Sequence, residues 1–345
     1  MSHAIELGLD TFGDVTVDAQ GRLLPPAQVL RNVVVEGVLA DQVGLDFIGV
    51  GEHHRTDFAV SAPEVVLAAI AARTERIHLG SAVTVLSSDD PVRVYERFAT
   101  LDGISRGRAE VIVGRGSFTE SFPLFGYDLS GYEQLFTEKL DLFAELLKQK
   151  PVTWSGRTRS ALEAQSVYPP LESGAMRTWV GVGGTPQSVI RAAHYGFPLM
   201  LAVIGGSPQR FVPFVRLYHE SLEQEGRPLQ PIGIHSPGHV APTDEQAREE
   251  LWPHYAAMMS RIGAERGWRP VTRAHFEREA GPDGALCVGS PETVAGKIAR
   301  AMKALGASRF DLKYSNGTLP HELLLRSIEL YGTKVAPQVR ELLAS

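Results

Sequence analysis

The fold class this sequence predicts is α/β, a (β/α)8 barrel in which eight parallel strands alternate with covering helices. Short β-branched runs alternate with helical stretches along nearly the whole chain, which is the rhythm of a parallel sheet. Eight such runs can be counted. Ionisable residues follow the second and fourth of them directly, where a barrel of this kind turns its loops toward a ligand. No internal repeat, low-complexity segment or linker divides residues 1–345, so they are read as one domain.

The first strand is expected over Ile5–Thr11, followed by a loop rich in Gly and Pro. Helical spacing over Val29–Val43 leads into strand two, Phe47–Gly51, whose unbroken apolar run suits a strand buried on both faces. A helix over Ala62–Arg73 precedes strand three, Ile77–Val85. Asp89 and Asp90 then offer caps ahead of Pro91 at the first helical position, and that helix should end near Ser105. Strand four is Ala109–Gly114, and Leu and Phe recur at helical spacing over Tyr132–Lys148. Pro151–Pro170 breaks the rhythm, with Val152–Gly156 read as a small hairpin across the barrel floor or rim. Strands five to eight are expected at Thr178–Gly183, Leu199–Val203, Ile232–Ala241 and Arg309–Lys313.

Almost seventy residues separate strands seven and eight, too many for an ordinary connection. Residues 244–286 are therefore read as an insertion. Its polar part, Gly263–Gly284, is either a solvated helical extension or a mobile lid over the barrel mouth.

The net charge of −6, with basic residues scattered among acidic ones, argues against a nucleic-acid partner. No apolar run approaches the roughly 20 residues that a bilayer span needs, so no membrane association is expected. Met1–Glu6 lacks the basic and then apolar order of a signal peptide. The single cysteine, Cys287, excludes an internal disulfide, and a cytoplasmic enzyme is the expectation. Cys287 itself reads as a small buried apolar residue rather than a nucleophile.

Glu52, His53, His54 and Arg55 follow strand two directly, placing an acid, two imidazoles and a guanidinium at a strand end. A histidine pair spans the pH range in which proton transfer is cheap. Gly114-Arg115-Gly116 ends strand four with a guanidinium between two residues that allow close approach. Arg115 either grips a phosphate or pairs with a nearby acid such as Glu110 or Glu120. Gly183-Gly184-Thr185-Pro186 follows strand five and opens a helix, as an anion cradle or as simple helix initiation with Thr185 at the N-cap. Gly289-Ser290-Pro291-Glu292-Thr293 repeats the capping logic. Strand three offers only small or apolar side chains at its outer end, a surface on which a flat aromatic ring can lie. A phosphate grip, a smooth wall and an imidazole pair together are what a redox flavin requires.

The chain resembles the bacterial luciferase-like flavin monooxygenase family. The resemblance rests on Gly44–His54, Gly80–Leu86, Asp90–Arg93, Leu101–Arg108, Gly114–Gly116, Phe125–Asp128, Gly183–Pro186 and Gly289–Glu292, and it is most specific from Gly44 to Gly126. It implies a TIM-like barrel, usually a homodimer or homotetramer, that uses O2 and reduced FMN on a small organic substrate. The FMN is supplied in reduced form by a separate NAD(P)H-dependent reductase. By position, His53 matches the active-site histidine, His54 its neighbour and Arg115 the arginine on the flavin phosphate. Ala82 and Val83 match a pair joined by a cis peptide beneath the flavin ring. Glu52, Gly183, Gly184 and Thr185 complete the expected cofactor site, and no metal is expected.

Two departures limit the transfer. Gly183 and Gly184 stand where luciferase has an acid and a serine, and Gly114 stands where it has a cysteine. Neither light emission nor aldehyde specificity is implied. The alternatives are an F420-dependent dehydrogenase on the same fold, a metal-dependent hydrolase with His53, His54, His235 and His239 as ligands, and an idle flavin-binding relative.

Overall fold

The computed structural model describes residues 4–344; Met1–His3 of the N-terminal segment read above lie outside them. The strands are β1 (Glu6–Thr11), β2 (Phe47–Val50), β3 (His78–Ser81), β4 (Thr84–Val85), β5 (Ala109–Gly114), β6 (Val152–Trp154), β7 (Leu162–Gln165), β8 (Arg177–Val182), β9 (Leu199–Ala202), β10 (Ile232–Val240), β11 (Cys287–Gly289) and β12 (Arg309–Lys313). Parallel pairing runs β1–β2–β3–β5–β8–β9–β10–β12 and returns to β1, which closes the barrel. The eight-stranded expectation holds, with strand three split into β3 and β4.

The helices are α1 (Pro26–Gln42), α2 (Pro63–Ala71), α3 (Pro91–Ser105), α4 (Ser121–Leu124), α5 (Tyr132–Leu146), α6 (Pro186–Tyr195), α7 (Val212–Gln224), α8 (Asp244–Glu265), α9 (Arg273–Ala280), α10 (Pro291–Leu305), α11 (His321–Leu330) and α12 (Ala336–Ala344). Proline opens α1, α2, α3, α6 and α10, where its missing N–H costs nothing and its fixed φ starts the turn. Asp90 accepts from the amides of Val92 and Arg93, and Ser290 from that of Thr293, as the capping readings expect. Among the described residues no helix is long and apolar enough to cross a membrane.

The bottom of the barrel is plugged by charge. Arg309 on β12 is fully buried, with its guanidinium 3.5 Å from the Phe47 ring and 4.9 Å from that of Trp179. It donates to Glu110 at 2.6 Å and to Asp311 at 3.0 Å. A buried ion pair that is stacked and multiply bonded fills the lower barrel and leaves the C-terminal strand ends as the place for a ligand.

One expectation needs correction. The hairpin, expected as Val152–Gly156 across the barrel floor or rim, spans β6 and β7 and lies against α5, where Trp154 donates to Asp141 and Glu138 accepts from the amides of Arg157 and Thr158. The insertion is two helices, α8 and α9, followed by β11, which pairs with the outer end of β10. Past the last strand, α11 buries Leu324 and Ile328 and α12 buries Val339, with Val335 buried in the turn between them.

Candidate active site at the barrel mouth

Strand three does not run straight to Val85. It stops at Ser81, the Ala82–Val83 peptide is cis as the resemblance implies, and pairing resumes when Thr84 and Val85 lie against Val113 and Gly114. The bent segment leans on glycines of its neighbours. A Cβ at Gly49 would stand 2.8 Å from the Ala82 methyl, one at Gly51 2.4 Å from the Ala82 carbonyl oxygen, and one at Gly114 2.7 Å from a Val83 methyl. Each clash is below van der Waals distance, so glycine here is set by close approach. The cysteine that luciferase carries at the position of Gly114 has no room while Val83 stays in place.

Glu52 braces this platform from behind. Its Oε1 accepts from the Val85 amide at 2.8 Å. Burial pushes its pKa up to about 7 against that hydrogen bond, and the carboxylates of Asp89 and Glu64 push the same way. The folded-state value lies above the ordinary 4.5 of a glutamate, so the fold holds this proton more tightly than the unfolded chain does. The stability it contributes is complete at low pH and is lost as pH rises toward 7. Glu52→Gln keeps the acceptor and removes the titration. Its stability, followed by thermal unfolding, should match wild type near about pH 4 and exceed it near about pH 8, by up to about 3 kcal/mol. A difference that does not change with pH would contradict this.

His53 stands in an aromatic box. Phe12 and Phe118 meet its ring edge-on at 4.7 and 4.9 Å, and Phe58 lies 4.5 Å away. Its Nε2 is buried without a partner. Burial, and then the charges of Lys313, Arg55 and His54, push its pKa down to about 3. The imidazole is therefore neutral at any working pH. His54 meets Phe125 edge-on at 5.1 Å, and its Nε2 is also buried and unpaired. Burial lowers its pKa, against the pull of Glu120 and Asp89. Phe12, Phe58 and Phe118 were not singled out from sequence; Phe58 lies five residues past His53 and Phe118 three past Arg115, but nothing in their spacing announces a shared box.

Arg55 ties the insertion to the mouth. It pairs with Glu120 in the loop after β5, with Asp57, and with Glu265 at the end of α8. Arg261 reaches Asp57 at 3.0 Å, and Arg266 donates to the Ser117 carbonyl at 3.2 Å and lies 5.1 Å from the Phe118 ring. The last turns of α8 thus sit beside the His53 box.

On the other flank, Arg115 and Thr185 meet, as the phosphate reading requires: an Arg115 Nη donates to Thr185 Oγ1 at 3.2 Å. Thr185 occupies the N-cap position, but its hydroxyl makes no cap bond; it faces Arg115 and Ser188 Oγ, 2.8 Å away. The acid paired with Arg115 is neither Glu110, which is buried with Arg309, nor Glu120, which holds Arg55. It is Glu133 on α5, whose other oxygen accepts from Arg191 at 3.3 Å. One carboxylate thus bridges two guanidiniums at the head of α6. Ser188 and Arg191 were missed, although they sit three and six residues beyond Thr185, at the spacing of one helix face. Beside them, a Cβ at Gly183 or Gly184 would meet nothing within 4 Å. That is open room.

The four histidines of the hydrolase alternative do not converge. His235 Nδ1 lies 2.6 Å from Asp10, while the Nε2 of His239 lies 2.8 Å from Glu250 on α8. No group of three or more His, Cys, Asp or Glu side chains placed to hold a metal occurs among the described residues.

These features fit a flavin. The platform is smooth, two guanidiniums stand beside open room at Gly183 and Gly184, and a buried imidazole nitrogen beside the platform has nothing to bond.

Comparison with known proteins gives the family and the fold. The model of the luciferase-like monooxygenase family matches residues 11–309. The chain is 27% identical over 317 residues to 4-hydroxyprotoasukamycin monooxygenase of Streptomyces nodosus subsp. asukaensis, covering 86% of this chain and 84% of that one. In fold it is similar to the oxygenating constituent of 3,6-diketocamphane monooxygenase from Pseudomonas putida, a type II Baeyer–Villiger monooxygenase in complex with FMN (TM-score 0.78, 18% identity, 98% and 99% of the two chains). It is also similar to the coenzyme F420-dependent tetrahydromethanopterin reductase of Methanopyrus kandleri (TM-score 0.72, 19% identity, 98% and 100%). The match spans most of the barrel, from the end of β1 to the start of β12, and this chain belongs to the luciferase-like monooxygenase family.

Proposed function

We propose that this protein is an FMN-dependent monooxygenase whose barrel mouth holds the flavin ring on Ala82 and Val83 and its phosphate at Arg115, Gly183, Gly184 and Thr185. The observation that carries the reading is the meeting of Arg115 with Thr185 on the far side of a glycine-supported platform from an unpaired, buried His53 nitrogen. Reduced FMN, when bound, supplies the electrons that activate O2, and one oxygen atom passes to a small organic substrate. The chain's own residues position the flavin, exclude water and handle the proton. His53, neutral and walled by three aromatic rings, holds or relays a proton at Nε2, and His54 extends the polar edge toward Phe125. Water exclusion falls to the Phe12, Phe58 and Phe118 box and to the insertion, residues 244–286, which we take as a lid clasped by Arg55. A separate NAD(P)H-dependent reductase, a cytoplasmic location and a homodimeric or homotetrameric assembly belong to the same reading.

Glu133 bears on cofactor choice. Its carboxylate sits where a phosphate would sit, bridging Arg115 and Arg191, and must yield to an incoming phosphate. Glu133→Gln should tighten FMN binding about threefold to tenfold, a modest gain because the pair is partly exposed. Fluorescence titration checks this, and unchanged or weaker binding counts against the phosphate assignment. The reading as a whole is tested by titrating the purified protein with oxidised FMN, reduced FMN and F420, and then following oxygen uptake across candidate substrates. Tight reduced-FMN binding with oxygen consumption supports it. Preference for F420 without oxygen uptake would give the dehydrogenase alternative its place.

A further inference from the structure

Between β1 and β10 lies a polar pair to which the reading above gives no task. His235 on β10 brings Nδ1 to within 2.6 Å of Asp10 Oδ2 on β1, and the Asp10 side chain is 1% exposed. A buried carboxylate against Nδ1 keeps the proton on that nitrogen and leaves Nε2 with a free lone pair. Among the described residues, Nε2 of His235 has no hydrogen-bond partner, and the second oxygen of Asp10 is buried without one.

The pair adjoins the platform. A Cβ at Gly49 would stand 2.8 Å from the Ala82 methyl and 3.1 Å from Asp10 Cβ, so one glycine separates the carboxylate from the surface assigned to the flavin. The His235 ring lies 6.2 Å from that of Phe12, inclined by 25°, and Phe12 in turn meets His53 edge-on. One phenyl ring therefore stands between two imidazoles. The groups around His235 are Asp10 from β1, Asp311 and Lys313 from β12, and His53 beyond Phe12, while its neighbour on β9 is the uncharged Ala202. Lys313 is occupied with Asp14 and Ser315.

The geometry points to a second acid–base residue: His235, oriented by Asp10, accepts the proton of a weakly acidic hydroxyl on the substrate, a phenol or an enol. A neutral imidazole in this tautomer offers an acceptor, so it selects a donor. The substrate O–H bond breaks and an N–H bond forms at Nε2. The electron pair stays on oxygen, and the imidazolium is neutralised by Asp10. The oxyanion is the electron-rich form of such a substrate, suited to taking up an electrophilic oxygen. That last use rests on the monooxygenase reading, but binding of the hydroxyl does not.

The test uses flavin-free protein and 4-nitrophenol, whose ionised form is read by its visible absorption. Wild type should bind it as the phenolate and raise its apparent acidity by about tenfold. His235→Asn and His235→Gln should both abolish that shift, and Asp10→Asn should reduce it. FMN affinity, titrated in parallel, should stay unchanged in all three. If His235→Asn fails to fold, His235→Gln decides on the same criterion. Equal acidity shifts in wild type and His235→Gln, or no phenolate bound by wild type, would overturn the assignment. Failure of wild type to bind FMN would instead strike the flavin reading.

Discussion

Replacing Arg115 with alanine should cost about 2–3 kcal/mol of FMN binding, roughly 30-fold to 150-fold in Kd, while leaving riboflavin affinity unaltered. The guanidinium follows β5 between Gly114 and Gly116, reaches Thr185 and pairs with the Glu133 carboxylate. A charge-assisted, potentially bidentate bond is lost with it. Riboflavin lacks the phosphate, so it reports the ring site alone. The comparison therefore separates a tail effect from a general collapse of the mouth. Equal loss for FMN and riboflavin would mean that Arg115 supports the barrel rather than the phosphate. Arg191 should act in the same direction more weakly, since its contact with Glu133 is the longer one, at 3.3 Å.

His53→Ala should lower coupled product formation by about a hundredfold or more and send the electrons to hydrogen peroxide. FMN affinity should change by less than about threefold, because the platform and the anion cradle are built from other strands. The direction of its pKa bears on the pH profile. With a value near 3 in the fold against an ordinary 6.5, His53 is neutral throughout the working range. The wild-type rate should accordingly show no acidic limb at the pKa of free imidazole. Product and peroxide yields measured side by side check the first claim, and a rate profile checks the second. Normal coupling in the alanine variant would remove His53 from the chemistry.

Much of this site is legible in the chain before any coordinates. The apolar run Phe47–Gly51 marks a buried strand, and the structure has one over Phe47–Val50 with Glu52, His53 and His54 just past its end. Gly49 and Gly51 are two residues apart, so both face the barrel interior, and both press on Ala82. The cis bend at Ala82–Val83 has no signature in propensity or spacing; only the family resemblance carried it. Thr185 illustrates a different limit. Its sequence context is that of a helix cap, and it does hold the cap position, but whether its hydroxyl bonds its own helix or Arg115 depends on a strand seventy residues earlier. Glu133 was hidden for the same reason, since nothing local links the first turn of α5 to Arg115 and Arg191. The hairpin was misplaced because period-two patterning identifies a strand but does not say which surface it covers. Here the polar contacts of Trp154 and Glu138 with α5 decide the matter.

A crystal structure of the protein grown with FMN is the most direct measurement of the central claim. The account requires the phosphate within hydrogen-bonding distance of Arg115 and Thr185, Glu133 turned away, and the ring lying on Ala82 and Val83 with its edge toward His53. A ring bound elsewhere, or a phosphate held by other residues while Glu133 still bridges Arg115 and Arg191, would contradict it.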